Sequence, residues 1–240
     1  MKQSKKSGRL LGRIALVTGA SEGIGRAVAI RFAHEGATLI AVSRTKKKLL
    51  TLDDEIQALT GSRIVIVDED VTDYNSVQRI SNALFARFKK LDVLVGSAAI
   101  LGTLSPVSHI SKDDWDEVLS TNLSANWYLM SLLDPLLRSS SAGRAIFLTC
   151  AQGINPAPFW GAYSAAKAGL ENLVKIYADE LIESNVCVNL IDPGPINTSL
   201  RRKAYPGEDI KNQRTPDEIT EHFVTLAEAS YNLTKQRISL

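Results

Sequence analysis

Cysteine is almost missing from this chain, with two residues in 240, Cys150 and Cys187. That excludes a disulfide-stapled secreted scaffold and suits a reducing compartment. Histidine is as scarce: His34, His109 and His222 are scattered with no metal-ligand spacing, so no metal is expected. No window reaches the roughly 18 uninterrupted apolar residues of a membrane span. A charge bias is lacking too, since 28 Lys and Arg against 26 Asp and Glu leave a net +2. Near-balance argues against a dedicated nucleic-acid binder. With 45% apolar residues the chain is not disordered, and a chain of this length buries about three quarters of its unfolded surface without a staple. A soluble, cytoplasmic protein is expected, with no membrane or nucleic-acid partner.

Residues 1–11 are basic and polar, with Leu10 and Leu11 faintly imitating a signal peptide. Arg13 interrupts the apolar run and a glycine loop follows where a cleavage site would stand, so a flexible basic tail is expected over 1–11. Beyond it, short β-branched runs at 14–17, 38–42, 64–67, 93–95, 145–148 and 186–191 alternate with amphipathic stretches at 23–35, 45–59, 73–89, 112–138, 161–184 and 216–230. The runs are apolar throughout, as strands covered on both faces must be. Strand and helix in alternation predict a single-domain α/β fold over 12–240. Its core would be a doubly wound parallel sheet of about seven strands with helices on both faces. Thr215-Pro216-Asp217-Glu218 carries a start signal for the last helix.

The first strand runs into Thr18-Gly19-Ala20-Ser21-Glu22-Gly23-Ile24-Gly25 and directly on into a helix. Gly19 permits the tight turn, Gly23 lets backbone approach a pyrophosphate, and Gly25 lets the helix pack closely on the sheet. The helix N-terminus then points amides at the phosphates. Gly19, Ser21, Gly23, Ile24 and Gly25 are thus the expected dinucleotide contacts of this loop. At the end of the second strand stands Ser43-Arg44 where an acid would select the free ribose. A hydroxyl and a guanidinium suit a 2′-phosphate, so NADP(H) is favoured over NAD(H).

Tyr163 and Lys167 lie four apart in a predicted helix, on one face. A neighbouring ammonium favours the phenolate, which would make the tyrosine usable as a general acid or base. With the glycine turn N-terminal to it, this pair resembles the short-chain dehydrogenase/reductase family over nearly the whole chain. The resemblance extends to Asp70-Val71 as the adenine-contacting pair and to Asn122 as the helix residue that holds a relay water. It also covers Ala98 beside the cofactor, and Pro193, Gly194, Ile196 and Thr198 as the segment that binds the carboxamide. It implies a Rossmann-fold oxidoreductase moving hydride between NADP(H) and a carbonyl or alcohol. Tyr163 would exchange the proton, while Lys167 would hold the nicotinamide ribose and lower the tyrosine pKa. The family's paired helices further imply a homodimer or homotetramer.

Three departures accompany the resemblance. The substrate-orienting serine, thirteen residues before the tyrosine, is here Cys150, a weaker donor. Thr149 is a poor substitute because adjacent strand residues face opposite sides. A slow or specialised reductase is therefore expected, with a catalytically weakened cofactor-binding sensor or scaffold as the alternative. Gly96-Ser97-Ala98-Ala99 replaces the usual Asn-Asn-Ala-Gly, which predicts lost amide braces and lower rigidity there. The residues through Leu240 leave only a short seventh strand. The pocket should be bordered by 153–160, by Ile100 and Leu101, and by a lid around 199–215 whose Arg201-Arg202-Lys203 could meet an anionic group. Ketoacyl thioesters, free ketones and sugars all remain compatible.

Overall fold

Strands made of Val, Ile, Leu and Ala with no polar alternation need apolar cover above and below. A computed structural model describes residues 8–240 and supplies that cover. Its strands are β1 (Ile14–Thr18), β2 (Thr38–Val42), β3 (Val65–Val67), β4 (Val93–Gly96), β5 (Gly143–Leu148), β6 (Val186–Asp192) and β7 (Arg237–Ser239). All pair in parallel, in the order β3-β2-β1-β4-β5-β6-β7. The helices between them are α1 (Gly23–His34), α2 (Lys46–Thr60), α3 (Tyr74–Phe88), α4 (Lys112–Leu119), α5 (Ala125–Arg138), α6 (Gly161–Glu180), α7 (Ser199–Ala204) and α8 (Thr220–Ala227).

One face of the sheet packs on α3, α5 and α6 through Ile80, Leu129, Leu133, Leu170 and Val174. The other packs on α1, α2 and α8 through Val28, Phe32, Leu52 and Phe223. β1 has β2 on one side and β4 on the other. The chain reverses direction across the sheet at that point, which opens a crevice beyond the carboxyl ends of β1 and β4.

Three expectations need correction. The single helix expected over 112–138 is interrupted by a π-turn at Ser120–Ser124, a wide turn that leaves the normal hydrogen-bond ladder. The start signal at 215 opens a 3₁₀ turn at Asp217–Ile219 before α8; Glu218 Oε2 reaches back to accept from the Thr215 amide as expected, but Thr215 Oγ1 also donates to it (2.9 Å) where a capping box would have the hydroxyl accept. The tail does not extend to residue 11. Residues 1–7 lie outside the described part, but Leu10 is fully buried in the α1/α2/α8 layer and its amide donates to Glu35 O (3.0 Å). Arg9 pairs with Glu221 and Glu228. An apolar side chain so close to the first strand is drawn into the core, so the folded unit starts before residue 12. Among the described residues no helix is long and apolar enough to cross a membrane, and no cluster of three metal-ligating side chains occurs.

Candidate active site

The crevice is a cleft of about 640 Å³. Of the expected site residues all but Asn122 line it: Gly19, Ser21, Gly23, Ile24, Gly25, Ser43, Arg44, Asp70, Val71, Ala98, Cys150, Tyr163, Lys167, Pro193, Gly194, Ile196 and Thr198. Gly19 has φ +64°, and a Cβ there would stand 3.0 Å from the Ala98 backbone. A Cβ at Gly25 would collide with Gly19 O and Ser97 Oγ, so any side chain would push α1 off the sheet. The N-terminus of α1 has no side-chain cap, leaving its first-turn amides to a ligand in the cleft. These features fit a dinucleotide pyrophosphate.

The rigidity lost on paper at 96–99 is restored by other groups. Ser97 Oγ donates to Thr18 O, while Thr18 Oγ1 accepts from the amides of Ser97 (3.0 Å) and Ala98 (3.2 Å). A Cβ at Gly96 would lie 2.5 Å from both Asn126 Oδ1 and a Phe147 ring carbon, so side chains from α5 and β5 fill the space an asparagine would need.

At the far end Arg44 is 59% exposed and sits 3.6 Å from Asp70 Oδ2. Ser43 Oγ accepts from the Thr45 amide (3.2 Å) at the uncapped start of α2. Sequence reasoning missed Lys48, which lines this end and pairs with Glu22 (2.6 Å). Its signal was present in the Lys46–Lys48 run leading α2. Glu22 also accepts from Ser199 Oγ (2.9 Å), joining the phosphate loop to α7. Lys48 and Ser199 hold the Glu22 carboxyl below its usual range.

Tyr163 and Lys167 lie in α6, 8% and 3% exposed. The Cys150 thiol stands against the Tyr163 hydroxyl. Burial, then Cys150, push the tyrosine pKa up, and burial likewise raises the Cys150 thiol. The expected lowering by Lys167 is absent. Its Nζ donates to Leu148 O (2.9 Å), lies 5.8 Å from the Tyr163 ring centre, and has its own pKa lowered by burial. Desolvation sets the direction for both groups. Thr149 turns away, donating to Glu171 Oε1 (2.7 Å).

Asn122 sits behind the cleft in the π-turn. Its side chain is spent on Ile100, accepting from the amide (2.9 Å) and donating to the carbonyl (2.8 Å). Its main-chain carbonyl accepts from Asn126 Nδ2 (2.9 Å).

Beneath the tyrosine and lysine runs a buried ionic cluster that the motifs did not reveal. Arg237 of β7 donates to Glu171 Oε1 (3.0 Å), Asp192 Oδ2 (2.9 Å) and Cys150 O (3.3 Å). Glu171, one turn beyond Lys167 on the same helix face, was findable by spacing. Arg237 was not, because nothing local marks a β7 residue as facing this site.

Chemically, a glycine turn at the switch point of a parallel sheet, with a buried tyrosine and lysine across the cleft, defines a nicotinamide-dinucleotide-dependent oxidoreductase. Comparison with known proteins agrees. The family model described as short chain dehydrogenase matches residues 13–209, and the chain belongs to that family. It is 33% identical over 228 residues to the uncharacterized oxidoreductase YciK of Escherichia coli K12, covering 94% of this chain and 90% of that one. It is 33% identical over 198 residues to the 3-oxoacyl-[acyl-carrier-protein] reductase FabG of Thermotoga maritima, covering 81% and 78%. A short-chain dehydrogenase from Shigella flexneri 2a, solved with NADP, superposes with TM-score 0.94 at 32% identity over 98% of this chain and 99% of that one. One from E. coli CFT073, solved with NADPH, gives 0.93 at 32% identity over the same shares.

Proposed function

We propose that this enzyme uses NADP(H) to reduce a ketone, with Tyr163 as the proton donor. The observation that carries the reading is Tyr163, 8% exposed at the cleft wall and packed in one cluster with Cys150 and Trp160, with Lys167 one turn further along the same helix. A phenol at that place can give its proton to a carbonyl oxygen as hydride arrives. When bound, the dinucleotide supplies the hydride. Gly19 and Gly25 admit its pyrophosphate, Asp70 and Val71 border its adenine, and Pro193, Gly194, Ile196 and Thr198 border its carboxamide. Lys167 holds the ribose hydroxyls. Cys150 takes the oxyanion-side position as a weak donor, so turnover is slow. Asn122, in the π-turn behind the cleft, would hold the water that returns a proton to Tyr163.

Ser43, Arg44 and Lys48 collect positive charge and donors where a 2′-phosphate would lie, which supports NADP(H) over NAD(H). The solved neighbours with NADP and NADPH lend further support. The protein works in the cytoplasm as a homo-oligomer through α5 and α6, where Trp127 and Ile176 are about half exposed. The test is cofactor oxidation against a panel of ketones with NADPH and NADH side by side. Turnover with NADPH at least tenfold above NADH is expected, while binding without turnover of any ketone would overturn the assignment.

A further inference from the structure

The substrate end of the cleft carries more information than the reaction alone requires. Leu101, Trp160, Leu200 and Ala204 line it, and Tyr205 backs Trp160. Trp160 is 8% exposed, edge-on to Tyr163 (centres 5.6 Å apart) and tilted against Tyr205 (5.8 Å). The wall is preformed. Phe159, just before the tryptophan, holds φ +74°, a conformation that a side chain adopts only under constraint. Its carbonyl accepts from the Ser105 amide (3.1 Å), and Ser105 bridges to Trp160.

Two of the lid's three basic side chains are already engaged. The Arg201 guanidinium is forked onto Glu208 (2.6 and 2.7 Å) and stacked on Tyr205 (3.8 Å). Arg202 donates to Asn197 Oδ1 (2.5 Å). Lys203 is exposed and lines the outer cleft. Glu117, one turn before Thr121, adds a negative charge to the cleft wall. Beside the Trp160 wall the polar groups packed in the same cluster are the weak donor Cys150 and Tyr163, while Gln152 and Lys203 line the cleft further out. An apolar slot with few polar groups selects by shape and desolvation, and a phosphate-bearing ligand would have to draw Arg201 off Glu208 and pass the Glu117 carboxylate.

We infer that the slot takes an uncharged ketone with a flat aromatic or alicyclic body, in preference to an anionic carrier-linked thioester. This rests on the carbonyl-reductase reading above and narrows its substrate. Calorimetric titration of the NADP⁺-loaded protein tests it without needing turnover, using 1-tetralone as the neutral probe and acetoacetyl-coenzyme A as the thioester. Tetralone is expected to bind at least tenfold more tightly, a difference of about 1.4 kcal/mol. Trp160→Ala and Leu200→Asp should each weaken it tenfold or more. The lid position keeps the test alive should the tryptophan variant misfold. Equal or tighter thioester binding, or tetralone affinity unchanged in a folded variant, overturns the inference and leaves the reductase reading intact. Tetralone that binds with the expected variant pattern, but is never reduced with NADPH along with every other ketone, overturns the reductase reading and leaves the slot assignment standing.

Discussion

Replacing Arg237 with methionine removes the cation from two carboxylates at once. Glu171 is 2% and Asp192 7% exposed, and both lean on this guanidinium at 3.0 and 2.9 Å. Burial alone would lower the Arg237 pKa, but its bonds to Glu171 and Asp192 outweigh that and raise it. Taking one partner from a buried ion pair costs about 3–5 kcal/mol, because the remaining charge is stranded in low dielectric. Lys175 at 3.6 Å is too exposed to compensate fully. At roughly 2–4 °C per kcal/mol for a chain of this size, the melting temperature should fall by roughly 6–20 °C at neutral pH. Glu171→Gln in the same background should recover part of the loss, because one of the two stranded charges is then gone. Thermal melts followed by circular dichroism give the result. A loss under about 1 kcal/mol, or no recovery by Glu171→Gln, would show that the cluster does not stabilise the fold in this way.

The catalytic groups make further predictions. Cys150→Ser should raise turnover on a ketone by about tenfold or more, since a single oxyanion-side donor is worth on the order of 10²–10³ in rate; an unchanged kcat would remove Cys150 from the reacting centre. Lys167→Met should abolish turnover yet leave the fold equally or more stable in thermal melts, because a buried ammonium is held there against desolvation; marked destabilisation would refute that. Arg44→Ala should weaken NADPH binding by about 1–2 kcal/mol, a factor of roughly 5–30, without affecting NADH, as read by fluorescence titration. Equal losses for both cofactors would place Arg44 away from the 2′-phosphate.

Much of this architecture could be read from local pattern. Apolar runs such as Val93–Val95 cannot survive except between two helical layers, and the Gly19–Gly25 turn fits only a strand entering a helix at a crevice. The four-residue spacing of Tyr163 and Lys167 put both on one helix face, where the structure has them. What was not legible depends on contacts between distant segments. The Asn122 turn is a π-turn, and its side chain is consumed by Ile100, 22 residues away. Ser97 replaces the missing brace through Thr18, and Arg237 reaches Glu171 across 66 residues. The rise in the Tyr163 pKa was misjudged for the same reason. Spacing shows that an ammonium is near, but only three dimensions show that burial dominates and that Lys167 is turned to Leu148.

The role of Tyr163 is tested most directly by single-turnover reduction of a ketone by NADPH-loaded Tyr163→Phe, with cofactor affinity measured in parallel. A loss of about 10²–10⁴ in the chemical step with NADPH affinity within a factor of about two is the expected result. Undiminished reduction by the phenylalanine variant would mean that the proton comes from elsewhere in the cleft.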